Sequence, residues 1–239
     1  MANLPAPTTI AKPWHTRIAW IHPKAYLYVH ALAGGALVAA FLWIFMAIAD
    51  AFPEQGAIAR FDGAATAWLQ LHGTETGERF FFVMSWFGAQ VLVATLAVAL
   101  MVLARRREWM RVGALAVAAG GGALLNYILK AGFHRGRPEY ATEFISRATW
   151  SFPSGHAMNS LVGYGFLAFL VLEHTHSSAR RNLTIAGTAV LVGLIGYSRV
   201  YLGVHFVSDV IGGFIAGAAW LVVCISGYQF ARLRLRSAE

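Results

Sequence analysis

The chain has 239 residues, 58% of them hydrophobic and 13% charged, with a formal net charge of +8. A composition so apolar and charge-poor excludes an ordinary soluble domain. The basic balance does not describe a nucleic-acid surface, because the cations flank apolar runs and form no continuous stripe. One cysteine, Cys224, cannot form an internal disulfide.

Residues 1–27 place Lys12, Arg17 and Lys24 among Trp14, Trp20 and Tyr26, the composition of an interfacial anchor on the cytoplasmic, anionic side of a bilayer. The apolar run after it, 28–49, is longer than the core of a secretory signal and has no small-residue cleavage site at its end, so it reads as a span. Six segments reach or approach the roughly 20 apolar residues that a membrane-crossing helix needs. They are 28–49, 80–104, 112–131, 157–173, 183–202 and 206–229, the fourth being the shortest. Glycines such as Gly120, Gly121, Gly122, Gly212, Gly213 and Gly217 let helix backbones approach closely in lipid.

Between the first two spans, Ile58, Phe61, Ala65, Trp68 and Leu69 recur at roughly helical spacing, with Asp62 and Gln70 off that face. This predicts a helix lying on the outer membrane surface, as a resting connector or as a gate for lipid access. Trp86, Phe87 and Gly88 read as packing residues. No repeat, low-complexity tract or second domain is found, so residues 1–239 read as one domain. The expected fold is all-α: an integral membrane bundle of six transmembrane helices with a surface-lying helix in the first outer loop.

Orientation follows from the Lys and Arg residues in the connecting segments. With the N-terminus inside, twelve of the nineteen lie on the cytoplasmic side, in the N-terminal segment, at 105–111, at 180–181 and at 232–236. Both termini are therefore expected in the cytoplasm. The connecting segments 50–79, 132–156 and 203–205 then share the outer face, periplasmic or exterior.

Three motif stretches, all within 130–209, meet on that face: Lys130 with Arg137-Pro138, Pro153-Ser154-Gly155-His156, and Ser198-Arg199 with His205 and Asp209. Ionisable residues beside an apolar phase need a partner or a task. Lys130, Arg137 and Arg199 outnumber the acids near them, Asp209 with Glu139 or Glu143, and so call for an anion. Arginine forks and a lysine charge suit phosphate oxygens. The Ser154 hydroxyl and the backbone N–H groups at a helix start, with Gly155 permitting close approach, add donors.

Together they describe a cradle for a phosphoryl group. His205 and Asp209 are four residues apart, so the carboxylate can hold the imidazole in one tautomer for attack on phosphorus. His156 can then protonate the leaving alkoxide and activate water. No metal is needed for this chemistry. A zinc site from His134, His156 and His205 is the weaker alternative, since no metal-ligand spacing is present and cations crowd the histidines.

The order and internal spacing of these three stretches resemble the signature of the type 2 phosphatidic acid phosphatase superfamily, with no departure at a signature position. The resemblance implies an all-helical bundle and metal-free hydrolysis of a phosphomonoester or diphosphate, with no cofactor. His205 is then the nucleophile, Asp209 its partner and His156 the general acid, while Lys130, Arg137, Ser154, Gly155 and Arg199 hold the phosphate. Six spans with an outward site is the layout of the membrane lipid phosphatase branch, which places the chain in the inner membrane with a lipid phosphate as substrate. Undecaprenyl diphosphate is the favoured lipid, ahead of phosphatidylglycerol phosphate, phosphatidate and lipid A phosphate.

A phosphotransferase passing the group to an acceptor lipid is the alternative, and oligomeric state is left open. His134 and Arg135 read as possible substrate contacts or as solvated loop. Tyr201 reads as packing, Asn126 as a cross-helix bond, and His174, His176, Arg180 and Arg181 as a solvated loop on the opposite face.

Overall fold

A computed structural model describes residues 23–50, 56–138 and 150–236. Among these residues the structure is all helix and no strand occurs. In chain order the helices are α1 (Pro23–Ala49), α2 (Ala57–His72), α3 (Glu75–Phe87), α4 (Gln90–Arg105), α5 (Trp109–Phe133), α6 (Gly155–Leu172), α7 (Ser178–Tyr201) and α8 (Val207–Arg236). By length and composition α1, α3 with α4, α5, α6, α7 and α8 give six membrane spans. The protein is an integral membrane protein, as the apolar runs predict. Of the anchor expected at 1–27, residues 1–22 lie outside the described residues, as do Glu139, Glu143 and Arg147.

The second span is two helices rather than one. The Gly88 N–H bonds back to the Ser85 carbonyl, and Tyr164 of α6 donates to the Phe87 carbonyl at 2.7 Å. A Cβ at Gly88 would stand 2.6 Å from Ile195 Cγ2 and 2.9 Å from His156 Cδ2. Gly88 thus packs directly against the imidazole of the second motif.

α6 and α8 form the most extensive helix pair, and Gly213 and Gly217 make it possible. A Cβ on Gly213 would lie 2.7 Å from the Ser154 carbonyl oxygen, and one on Gly217 2.9 Å from that of Met158. This is the small-residue spacing that lets backbones touch in lipid. Around the seam, Leu115, Ala118, Val162, Phe166, Leu170, Cys224 and Tyr228 form one core cluster from α5, α6 and α8. Phe45 and Ala49 of α1 pack with Phe152, Met158 and Ala216 in a second cluster.

α2 occupies the predicted place between the first two spans. Asp62, Thr66 and Leu69 are buried, whereas Phe61, Trp68 and Leu71 are exposed. The side turned to the bundle is set by Asp62, whose oxygens accept from the Ser208 N–H, the Ser208 hydroxyl and Arg135.

At the end of the bundle away from the motifs, Arg111 pairs with Glu108 and lies 3.5 Å from Glu173, which also binds Arg232. His174, exposed as expected, sets Nε2 3.0 Å from Arg111.

Candidate active site

α7 ends at Tyr201, and the chain reverses through Gly203, whose φ of 66° suits glycine. The N–H groups of Val204 and His205 both donate to the Arg199 carbonyl, at 3.1 and 3.2 Å. The reversal folds His205 against the end of α7, and its ring is buried.

Asp209 lies in the first turn of α8 and is fully buried. Its Oδ2 accepts from the Phe206 N–H at 2.9 Å, closing the helix start, and from the Ser151 hydroxyl. The same oxygen stands 3.4 Å from His205 Nδ1, while Oδ1 accepts from Arg135 at 2.6 Å. The pairing of His205 with Asp209 expected from the four-residue spacing is present, and it directs Nε2 away from the carboxylate. Burial pushes the His205 imidazole down to about 4, against the opposing pull of Asp209. The ring is therefore neutral at pH 7, the form in which a nitrogen lone pair is available.

The second motif is locked to the third through backbone. The Ser154 N–H donates to the Asp209 carbonyl at 2.9 Å, directly before α6 begins at Gly155. Asn126 of α5 donates to the Pro153 carbonyl at 3.3 Å in the loop before α6, and its cross-helix contact is with Met158 Sδ of α6 at 3.6 Å. A side chain at Gly155 would meet Asn126 Oδ1 at 2.8 Å, so glycine is required for this approach. His156, in the first turn of α6, has Arg199, His205, Arg137 and Lys130 as its electrostatic neighbours.

The three cations are drawn to the same place. Lys130 Nζ donates to the carbonyls of Trp150 and Ser151, and Arg137 donates to the Val204 carbonyl at 2.9 Å. Burial holds the Arg137 guanidinium below its ordinary value, with Asp209 opposing. Arg199 donates to the Ser85 hydroxyl of α3, and its Nε is buried without a hydrogen-bond partner. Ser154 Oγ is buried and unpaired as well. Unsatisfied buried donors are costly and uncommon, and here two of them sit in the motifs that were read as a phosphate cradle.

All eight residues expected at the site thus gather at one end of the bundle. The two weaker candidates separate. His134 caps α5 in a left-handed conformation, exposed, with its ring edge-on to Trp150 at 4.8 Å. Arg135 is not a solvated loop residue: it binds Asp62 at 2.8 Å and Asp209 at 2.6 Å and stacks 4.4 Å over Phe206.

Asp62, Ser85, Ser151 and Ser208 were not anticipated. Asp62 carried the one available signal, as the lone acid in the amphipathic segment it occupies. Tyr201 packs as expected, 4.6 Å from the Phe81 ring, and its hydroxyl also accepts from the Thr74 N–H.

Residues 111–233, which contain all three motifs, match the model of the PAP2 superfamily. The chain belongs to the PAP2 superfamily. Phosphatidylglycerophosphatase B of Bacillus subtilis is 40% identical over 118 residues, 49% of this chain and 57% of that relative, so the match spans little more than half of the relative's length. Decaprenylphosphoryl-5-phosphoribose phosphatase of Mycolicibacterium smegmatis is 31% identical over 147 residues, 59% of this chain and 72% of the other.

The PAP2 fold is also recognisable in space. The crystal structure of the transmembrane PAP2 type phosphatidylglycerolphosphate phosphatase from Bacillus subtilis superposes with a TM-score of 0.73 at 28% identity, covering 80% of this chain and 96% of that one. Aquifex aeolicus LpxE superposes with a TM-score of 0.51 at 26% identity, covering 67% and 92%.

Proposed function

We propose that this PAP2 protein hydrolyses a membrane lipid phosphate without a metal, through a phosphohistidine on His205. The observation that carries the reading is the gathering of a neutral, Asp209-backed His205 and three cations about His156, with the Ser154 hydroxyl and Arg199 Nε buried and unpaired. Lys130, Arg137, Arg199 and Ser154 hold the phosphoryl oxygens, joined by N–H groups at the start of α6, and stabilise the charge that spreads over them in the transition state.

His205 Nε2 attacks phosphorus as the bond to the lipid oxygen breaks, and His156 delivers the proton that oxygen needs. His156 then takes a proton from water, the resulting hydroxide attacks phosphorus, and the P–N bond breaks to release inorganic phosphate and neutral His205. Asp209 balances the charge that His205 acquires in between.

The named relatives favour phosphatidylglycerol phosphate or a polyprenylphosphoryl phosphoribose as the lipid, and undecaprenyl diphosphate stays in the panel on the sequence reading. The Lys and Arg distribution supports cytoplasmic termini and a site facing the periplasm or exterior of the inner membrane. Phosphate release from these lipids in detergent, with EDTA present, tests the proposal. The wild type is expected to be active, His205→Ala inactive and His156→Ala severely impaired. Activity abolished by chelation and restored by added metal refutes the metal-free route. Phosphate that appears on an acceptor lipid rather than in solution identifies a phosphotransferase.

A further inference from the structure

We infer that Asp62 of α2 is a positioning residue for this reaction, acting on Asp209 through Arg135. The inference rests on the phosphatase reading of the same site and adds a residue that lies outside all three motifs.

Arg135 Nη2 binds Asp62 Oδ2 at 2.8 Å and Nη1 binds Asp209 Oδ1 at 2.6 Å, so one planar fork joins two carboxylates. Both acids are buried, with side chains 1% and 0% exposed, and Arg135 is 12% exposed. Ser208 completes the ring: its N–H donates to Asp62 Oδ1 at 3.0 Å, its hydroxyl to Asp62 Oδ2, and it receives Arg135 Nη1 at 2.7 Å.

Asp62 grips the Nη2 side of the guanidinium and Asp209 its Nη1 side. Gripped on both, it fixes where Asp209 Oδ1 points and hence where Oδ2 meets His205 Nδ1. Asp62 also shares the positive charge of Arg135. Removing the Asp62 charge increases the pull of the cation on Asp209 and so weakens the support the carboxylate gives to an imidazolium. The geometry thus connects the seating of α2 to the reactivity of a histidine on another helix.

The test uses the full chain in detergent and phosphate release from a lipid that the wild type hydrolyses. Asp62→Asn keeps the shape and removes the charge. Its kcat is expected to fall about tenfold or more with KM within about twofold of wild type, and Asp62→Glu to recover part of the loss. Leu69→Val, two turns along the same buried face of α2 and packed with Val200 and Val210, is expected to keep kcat within about twofold. A loss there equal to that of Asp62→Asn overturns the inference, because it reports packing alone.

The double variant Asp62→Asn/Arg135→Gln is expected to be no slower than Arg135→Gln, since both break one link; losses that multiply overturn it. Should Asp62→Asn lose its helical circular dichroism, Ser208→Ala replaces it, and an unchanged kcat overturns the inference. A wild type that releases no phosphate, or an active His205→Ala, fails the phosphatase reading itself. An active wild type with an inactive His205→Ala and a fully active Asp62→Asn fails this inference alone.

Discussion

Replacing Gly213 by alanine tests the α6–α8 seam where packing and chemistry meet. The added Cβ would stand 2.7 Å from the Ser154 carbonyl oxygen, 3.1 Å from Ala157 Cβ and 3.3 Å from the Met158 nitrogen. The first contact is about 0.7 Å inside ordinary van der Waals separation, and it is with backbone, so no rotamer change relieves it. Ser154 must move, yet its N–H is bonded to the Asp209 carbonyl and the next two residues are Gly155 and His156. Overpacking of this kind costs about 1–3 kcal/mol. A shift approaching 1 Å between reacting groups costs up to about 100-fold in rate.

Gly213→Ala is therefore expected to lower kcat/KM about 10- to 100-fold, with a fall in melting temperature too small to unfold the protein at the assay temperature. Gly113→Ala is the control, because a Cβ there meets nothing within 4 Å. Helix propensity predicts unchanged activity and a gain of up to about 1 kcal/mol. Phosphate release and thermal unfolding in one detergent give both numbers. A Gly213→Ala protein with wild-type activity and stability would refute the reasoning that this seam sets the position of His156.

Ser85→Ala removes the hydroxyl that receives Arg199; kcat/KM is expected to fall about three- to tenfold, the worth of one hydrogen bond, and Ser85→Thr to preserve it. His205 supplies a pH dependence of stability: its folded value is held down to about 4, so between that pH and its ordinary 6.5 the unfolded chain takes a proton that the folded chain refuses. Stability is full above the ordinary value and is lost as pH falls through that window, by on the order of 3 kcal/mol from this group, and melting curves of wild type and His205→Gln should converge towards pH 4. Vanadate, which adopts five-coordinate geometry, is expected to inhibit competitively, and Lys130→Gln to weaken that inhibition about tenfold or more, as read from inhibition constants against a lipid phosphate.

The residues alone determined the six helices that, among the described residues, are long and apolar enough to cross a membrane, since a run of about 20 apolar residues is a local property. They also marked the eight residues proposed for the phosphate cradle, because Lys130 to Arg137, Pro153 to His156 and Arg199 to Asp209 lie at short, fixed spacings. Tertiary structure decided what those groups lean on. The Asp62 contact with Ser208 joins residues 146 apart, and the Ser85 contact with Arg199 joins residues 114 apart.

Neither residue is assigned a partner by its neighbours in sequence. Asp62 lies off the apolar face of its helix, where a carboxylate ordinarily means water, and Ser85 sits in an unremarkable apolar run. The break at Gly88 was hidden for the same reason, since what occupies the space beside it is His156 and Ile195. Hydrophobic period records how much of a helix avoids water. It does not record which distant polar group will be waiting on the inner face, and in this protein Ser208 and Arg135 are the groups that meet Asp62 of α2 there.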